Sequence, residues 1–108
     1  MSDSYTYKPV ILIGAARSGT KMLRDTLALH NQIDAIPYDV NYIWRIGNAQ
    51  APDDVLDVNN TPQRYIDAIR NKLSSFAGEG EYLLEKTVSN TIRIPFVLRV
   101  FPEAKFIH

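Results

Sequence analysis

An apolar run, Pro9-Val10-Ile11-Leu12-Ile13, leads into Gly14-Ala15-Ala16-Arg17-Ser18-Gly19-Thr20-Lys21, and Met22 to His30 follow at helical spacing. Taken as strand, glycine-bearing turn and helix, this order gathers unpaired backbone N–H groups and the positive end of a helix dipole at one spot, which suits a phosphate. The small residues let the backbone close on an anion. Arg17, Ser18, Thr20 and Lys21 add charged and hydroxyl donors. The chemistry indicated is the handling of a phosphorylated nucleotide.

The elements that must position this turn can be read from pattern. Met1–Lys8 is a polar lead-in, and Val10–Ile13 has the continuous aliphatic character of a central parallel strand. Met22, Leu23, Thr26, Leu27 and His30 fit a helix with one apolar side. Asn31–Trp44 is irregular and aromatic-rich, and Arg45–Asn60 reads as an exposed loop. Thr61 is expected to cap a helix with Pro62 at its first position; Tyr65, Ile66, Ile69, Leu73 and Phe76 recur along it, and Gly78 and Gly80 end it. Tyr82–Glu85 is a second strand, Ile92–Phe101 a helix with Pro95 in its first turn, and Phe106–His108 a third strand. Strands alternating with helices predict a three-layer α/β/α domain with a central parallel sheet and right-handed crossovers.

Bulk composition narrows the function. The 108 residues carry 12 Lys+Arg against 12 Asp+Glu and no cysteine. Balanced charge gives no general affinity for nucleic acid or membrane surfaces, so anion binding must be local. Without cysteine there is no disulfide framework, thiol catalysis or cysteine-ligated zinc, and no metal-ligand spacing appears. The apolar runs are far shorter than a membrane span, and no signal peptide is seen, so a cytoplasmic protein is expected. The last residues read as a strand just beginning, which predicts the N-terminal part, residues 1–108, of a longer single domain.

Two nucleotide templates fit poorly. Gly14 and Gly19 have the separation of the G-x-x-x-x-G-K-[ST] loop, but Thr20-Lys21 reverses the final pair. In that loop the lysine reaches the terminal phosphates and the following hydroxyl ligates magnesium, so the reversal puts neither group in place. No apolar run ending in Asp follows to complete a magnesium site, and no G-x-G-x-x-G dinucleotide fingerprint occurs. A nucleotide kinase or NTPase, and a nucleotide-binding module without catalysis, stand as the alternatives.

The stretch Gly14 to Leu23 resembles the phosphosulfate-binding loop of sulfotransferases that use 3′-phosphoadenosine 5′-phosphosulfate (PAPS). Their pattern G-x-x-[RK]-[ST]-G-T-x-x-L is matched at every fixed position, while Lys21 stands where relatives commonly have Thr or Ser. Leu83-Leu84-Glu85-Lys86-Thr87, followed by Phe101-Pro102-Glu103-Ala104-Lys105-Phe106-Ile107, is similar to a second block of that family, with Val88 in place of a frequent proline. The resemblance implies a P-loop-like fold, PAPS as sulfonate donor, no metal, and a hydroxyl or amine acceptor of unspecified class. It further implies an Arg-Asp-Pro-like turn and a serine that grip the 3′-phosphate, neither of which occurs up to His108. The 108 residues alone are therefore expected to be inactive and the fold incomplete at its C-terminus.

The same resemblance assigns roles. Gly14, Arg17, Ser18, Gly19, Thr20 and Lys21 would hold the donor's 5′-phosphate. Arg17 would stabilise the charge that grows on the leaving phosphate, and Lys86 would lie near the sulfonate; a structural lysine at a strand end would look the same in sequence. Asp39 is the nearest match to the acidic residue that takes the acceptor's proton, although Glu is usual there, and an aspartate capping a turn is the plain alternative. Glu85 orients neighbours or forms a salt bridge. His30 is read as a packed or helix-terminal histidine. Tyr38, Tyr42 and Trp44 could stack on an acceptor, with ordinary packing the competing reading.

Overall fold

The computed structural model describes residues 7–14 and 19–108. In chain order the elements are β1 (Lys8–Leu12), α1 (Thr20–Leu27), β2 (Ile33–Ala35), α2 (Asn41–Trp44), α3 (Gln63–Ser74), β3 (Tyr82–Glu85), a 3-10 helix (Val88–Ile92), α4 (Ile94–Val100) and β4 (Lys105–Ile107). The strands form one sheet in the order β2-β3-β1-β4, and every neighbouring pair is parallel. The chain moves one way across the sheet from β1 to β2 and the other way from β2 to β3 and from β3 to β4. Right-handed crossovers in opposite directions lie on opposite faces, so α1 covers one face and α3 with α4 the other. The expected three-layer α/β/α fold is present.

Register settles which side chains face which layer. Val10 pairs with Leu84 and Leu84 with Ala35, whereas Ile11 pairs with both Glu85 and Phe106. Paired residues in parallel strands share a face. The main core lies under α3 and α4, where Ile11, Ile36, Ile66, Ile69, Leu73, Phe96, Val97 and Val100 are buried together. Trp44 and Phe101 meet edge to face at 6.3 Å within it. Buried Arg70 donates from Nε and Nη2 to the Val100 carbonyl at 3.0 and 2.7 Å, satisfying an acceptor left over at the end of α4.

Several local expectations are corrected. The Asn31–Trp44 stretch contains β2 and α2; β2 is anchored by Tyr82 N–H donating to the Gln32 carbonyl and Ile36 N–H to the Leu84 carbonyl, both at 2.9 Å. Thr61 is not the helix cap. Its hydroxyl donates to the Asp57 carbonyl at 2.9 Å, and Pro62 occupies the cap position of α3. That helix stops at Ser74, short of Phe76, and Gly78 and Gly80 instead give their N–H groups to Asp34 Oδ2 at 2.8 and 2.9 Å. Ile92 belongs to the 3-10 helix rather than to α4. Tyr7 is not part of a polar lead-in but a core residue whose hydroxyl bonds Ser74 Oγ at 2.8 Å, and Lys8 begins β1. The amphipathic reading of α1 also inverts: Met22 is 74% exposed, and the residue buried on that helix is Arg24.

Candidate functional site

Parallel strands deliver their C-terminal ends to one edge of the sheet, where ligands bind in open α/β folds. Gly14 follows β1, Asp39 follows β2, Lys86 and Thr87 follow β3, and His108 follows β4. A cavity of about 290 Å³ opens at this edge, lined by Gly14, Gly19, Thr20, Leu23 and His108 among others. Gly19 stands immediately before α1 with φ 88° and ψ 7°, a left-handed conformation that glycine adopts without strain. A Cβ there would meet nothing within 4 Å, so backbone conformation, and not crowding, calls for the glycine. The helix has no capping side-chain hydrogen bond, and its first internal bond is from Leu23 N–H to the Gly19 carbonyl at 3.0 Å. The N–H groups of Thr20, Lys21 and Met22 are thus left over by the helix itself, as an anion site requires.

Thr91, in the 3-10 helix, clamps the start of the turn. Its hydroxyl accepts the Gly14 N–H at 3.0 Å and donates to the Gly14 carbonyl at 3.2 Å. Arg17 and Ser18 lie outside the described residues. Lys21 is exposed and lines a separate depression on the outer side of α1 with Met22, Asp25, Thr26 and Leu29. Gly14, Gly19 and Thr20 are therefore brought together around the cavity, and Lys21 is not among the residues lining it.

Alternation along the extended chain separates Glu85 from Lys86. Glu85 points into the core beneath α4, and Lys86 emerges on the side of α1. Lys86 is 9% exposed, unlike a solvated lysine at a strand end. Its Nζ donates to Asp39 Oδ1 at 3.1 Å. Arg24, 3% exposed, places Nη1 3.9 Å from the same oxygen while its Nε donates to Asp25 Oδ1 at 3.1 Å. Val88 N–H donates to Asp39 Oδ2 at 3.0 Å. Two of the expected catalytic side chains, Lys86 and Asp39, thus meet directly. Arg24 joins them; its only sequence signal was a charged residue between Leu23 and Leu27 on a stripe read as apolar.

On the opposite face Glu85 heads a buried polar chain. Asn90 Nδ2 donates to Glu85 Oε1 at 2.8 Å, and the Thr87 hydroxyl donates to Oε2 while accepting the Val40 N–H at 3.1 Å. Arg93 continues the chain, donating to Asn90 Oδ1 at 2.7 Å and to Asn41 Oδ1 at 2.6 Å. Burial dominates the titration of Glu85, pushing its pKa up to about 7 against the opposing pull of Thr87. The Trp44 indole N–H, which makes no hydrogen bond of ordinary geometry, turns its partial positive charge to the same carboxylate. At the far end Asp54 accepts from Ser89 at 2.7 Å and from Arg45 at 2.5 Å, and its pKa is held down at about 2. Glu85 therefore orients neighbours inside the core and does not touch Lys86's partners.

The aromatic residues divide. Trp44 is wholly buried, Tyr38 packs edge to face on Phe76 at 6.1 Å, and Tyr42 is exposed. His30 is exposed just past α1, where its Nδ1 accepts the Gln32 N–H at 3.1 Å. A larger open cleft of about 670 Å³, lined by Pro52, Val55, Leu56, Ile92 and Pro95 among others, contains none of the expected site residues. No helix among the described residues is long and apolar enough to cross a membrane, and none of their side chains cluster as a metal site.

A parallel sheet in this strand order, with Gly14 after its inner strand, Gly19 before a helix and two buried cations at the same carboxyl edge, defines the class as an α/β protein. The sequence carries the identification further. Residues 9–108 match the sulfotransferase family, and the chain belongs to that family. A comparison with curated proteins gives no match.

Proposed function

We propose that the protein is a PAPS-dependent sulfotransferase whose donor site lies at the carboxyl edge of the sheet. The observation that carries this reading is the position of Lys86. It is buried one residue past β3, beside the second buried cation Arg24, at the same edge as the Gly14–Gly19–Thr20 cavity. The cavity fits a phosphate in its chemistry, with spare helix N–H groups, a hydroxyl and a glycine backbone. Gly14, Arg17, Ser18, Gly19 and Thr20 would hold the 5′-phosphate, with Lys21 contributing its backbone N–H and not its side chain, which lies in the separate depression. PAPS supplies an activated sulfonate that passes in line to an acceptor hydroxyl or amine.

The chain's own residues then have separable tasks. Arg17 and Lys86 offer positive charge where negative charge grows during transfer, and in a site shielded from water such charge is worth more than in solution. Thr91 keeps Gly14 in register with the 3-10 helix that begins beside Lys86. Asp39 is the solvent-exposed carboxylate at this edge and is the group to take the acceptor's proton. The acceptor is a carbohydrate, lipid, peptide or small molecule; neither nucleic acid nor a membrane is called for.

Calorimetry of the full chain with adenosine 3′,5′-bisphosphate (PAP) and with ATP–Mg²⁺ tests this. PAP binding without a magnesium requirement is expected. ATP binding that depends on magnesium, with no PAP binding, overturns the reading in favour of triphosphate chemistry. In a sulfonate-transfer assay of the full-length protein Arg17→Ala is expected to abolish turnover; full activity of that variant would remove Arg17 from the mechanism.

A further inference from the structure

We infer that Arg24, Lys86 and the Val88 N–H form a ready-made anion subsite which the Asp39 carboxylate fills until a sulfonate or sulfate displaces it. The inference rests on the sulfonate-donor reading and gives Arg24 a role in it. Two donors and a further cation converge on one carboxylate: Lys86 Nζ and the Val88 N–H hydrogen-bond to it at 3.1 and 3.0 Å, and Arg24 Nη1 lies 3.9 Å away as an ion pair. Both cationic side chains are sequestered, 4% exposed for Arg24 and 11% for Lys86, whereas the Asp39 side chain is 38% exposed. Charges buried to this degree need a counter-ion. Arg24 keeps a second counter-ion in Asp25, which its Nε reaches at 3.1 Å; the counter-ion of Lys86 sits on the exposed segment after β2, with water to move into.

A tetrahedral oxyanion offers the same donors more acceptor oxygens than a carboxylate does. An incoming sulfonate therefore takes over the pairing with Lys86 and Arg24, and Asp39 is set free. While Lys86 and the Val88 N–H each engage one of its oxygens, the Asp39 carboxylate is committed to them; once released, those oxygens are free to receive an acceptor's proton. The exchange makes base activation follow from donor binding and orders the two substrates, donor before acceptor. Arg24 is then a positioning residue for Asp39 in the free protein and a sulfonate ligand in the loaded one.

The test is calorimetric titration of the full chain with sodium sulfate and, separately, with PAP. Removing the competing charge in Asp39→Asn should tighten sulfate binding about fivefold or more, the factor that corresponds to roughly 1 kcal/mol for one charge pair near 4 Å in a water-like medium. Asp39→Ser repeats the charge removal should Asp39→Asn fail to fold. Arg24→Gln should weaken sulfate binding relative to wild type. Unchanged or weaker sulfate binding in both Asp39 variants, with PAP binding intact, overturns the exchange and leaves the donor reading standing. Tighter sulfate binding in a protein that ignores PAP establishes the subsite and refutes the donor reading.

Discussion

Replacing Glu85 with glutamine should abolish a pH dependence of stability that the wild-type chain cannot avoid. Glu85 is 2% exposed, and burial raises its pKa from 4.5 to about 7. The folded protein therefore holds a proton on this carboxyl through a range in which the unfolded chain has already released it. Stability contributed by the neutral form is complete below pH 4.5, falls as pH rises, and is gone once pH has passed through about 7. The whole displacement corresponds to about 3 kcal/mol, and between pH 5 and pH 8 the loss is about 2 to 3 kcal/mol. The amide of Glu85→Gln would keep an acceptor for Asn90 Nδ2, which now donates to Oε1 at 2.8 Å, and would carry no titrating proton. The assay is urea unfolding of both proteins at pH 5 and pH 8, taking the difference of differences. Parallel pH profiles for wild type and Glu85→Gln would refute the claim that a buried, protonatable Glu85 burdens the fold.

Two further predictions concern backbone control. Thr91→Val removes both hydrogen bonds to Gly14, at 3.0 and 3.2 Å, so thermal unfolding should report a loss of about 1 to 2 kcal/mol; PAP affinity should fall with it, and unchanged affinity would show that the clamp does not set the turn. Gly47→Ala places a Cβ 2.4 Å from Tyr65 Cγ at a residue with φ 84°, and chemical unfolding should show a cost of about 2 to 4 kcal/mol with no change in PAP affinity in the folded fraction.

Much of this architecture was legible because long apolar patterns report directly on burial. Val10 to Leu12 and Tyr82 to Leu84 are runs that only a covered strand tolerates, and Ile66, Ile69 and Leu73 mark the buried stripe of α3. Gly19 was legible for a different reason, since it takes φ 88° just before a helix, a conformation that glycine adopts without strain. What escaped was structure made by neighbours. β2 is three residues long, contains Asp34, and exists because its backbone is paired to β3. The cap of α3 escaped because Thr61 found a better acceptor in the Asp57 carbonyl than in the helix. Arg24 escaped because periodicity assigns a helix face by hydropathy, while here a guanidinium is drawn inward by Asp39. The pairing of Lys86 with Asp39, 47 positions apart, is a product of strand order and was expected of neither residue alone.

Glu85 and Lys86 sit side by side in one extended segment yet serve two compartments, a sealed one under α4 and a reactive one beside α1. That arrangement makes the count of residues in β3 as important as their identity. Inserting or deleting a single residue between Leu83 and Glu85 would thread an ammonium into the sealed side and a carboxylate among the cations, two charge errors from one slip. The stretch has no slack, because the 3-10 helix that follows at Val88 is itself tied to Asp39, Glu85 and Gly14. Among natural variants of the chain, Leu83 to Ile92 should stand as a block without gaps.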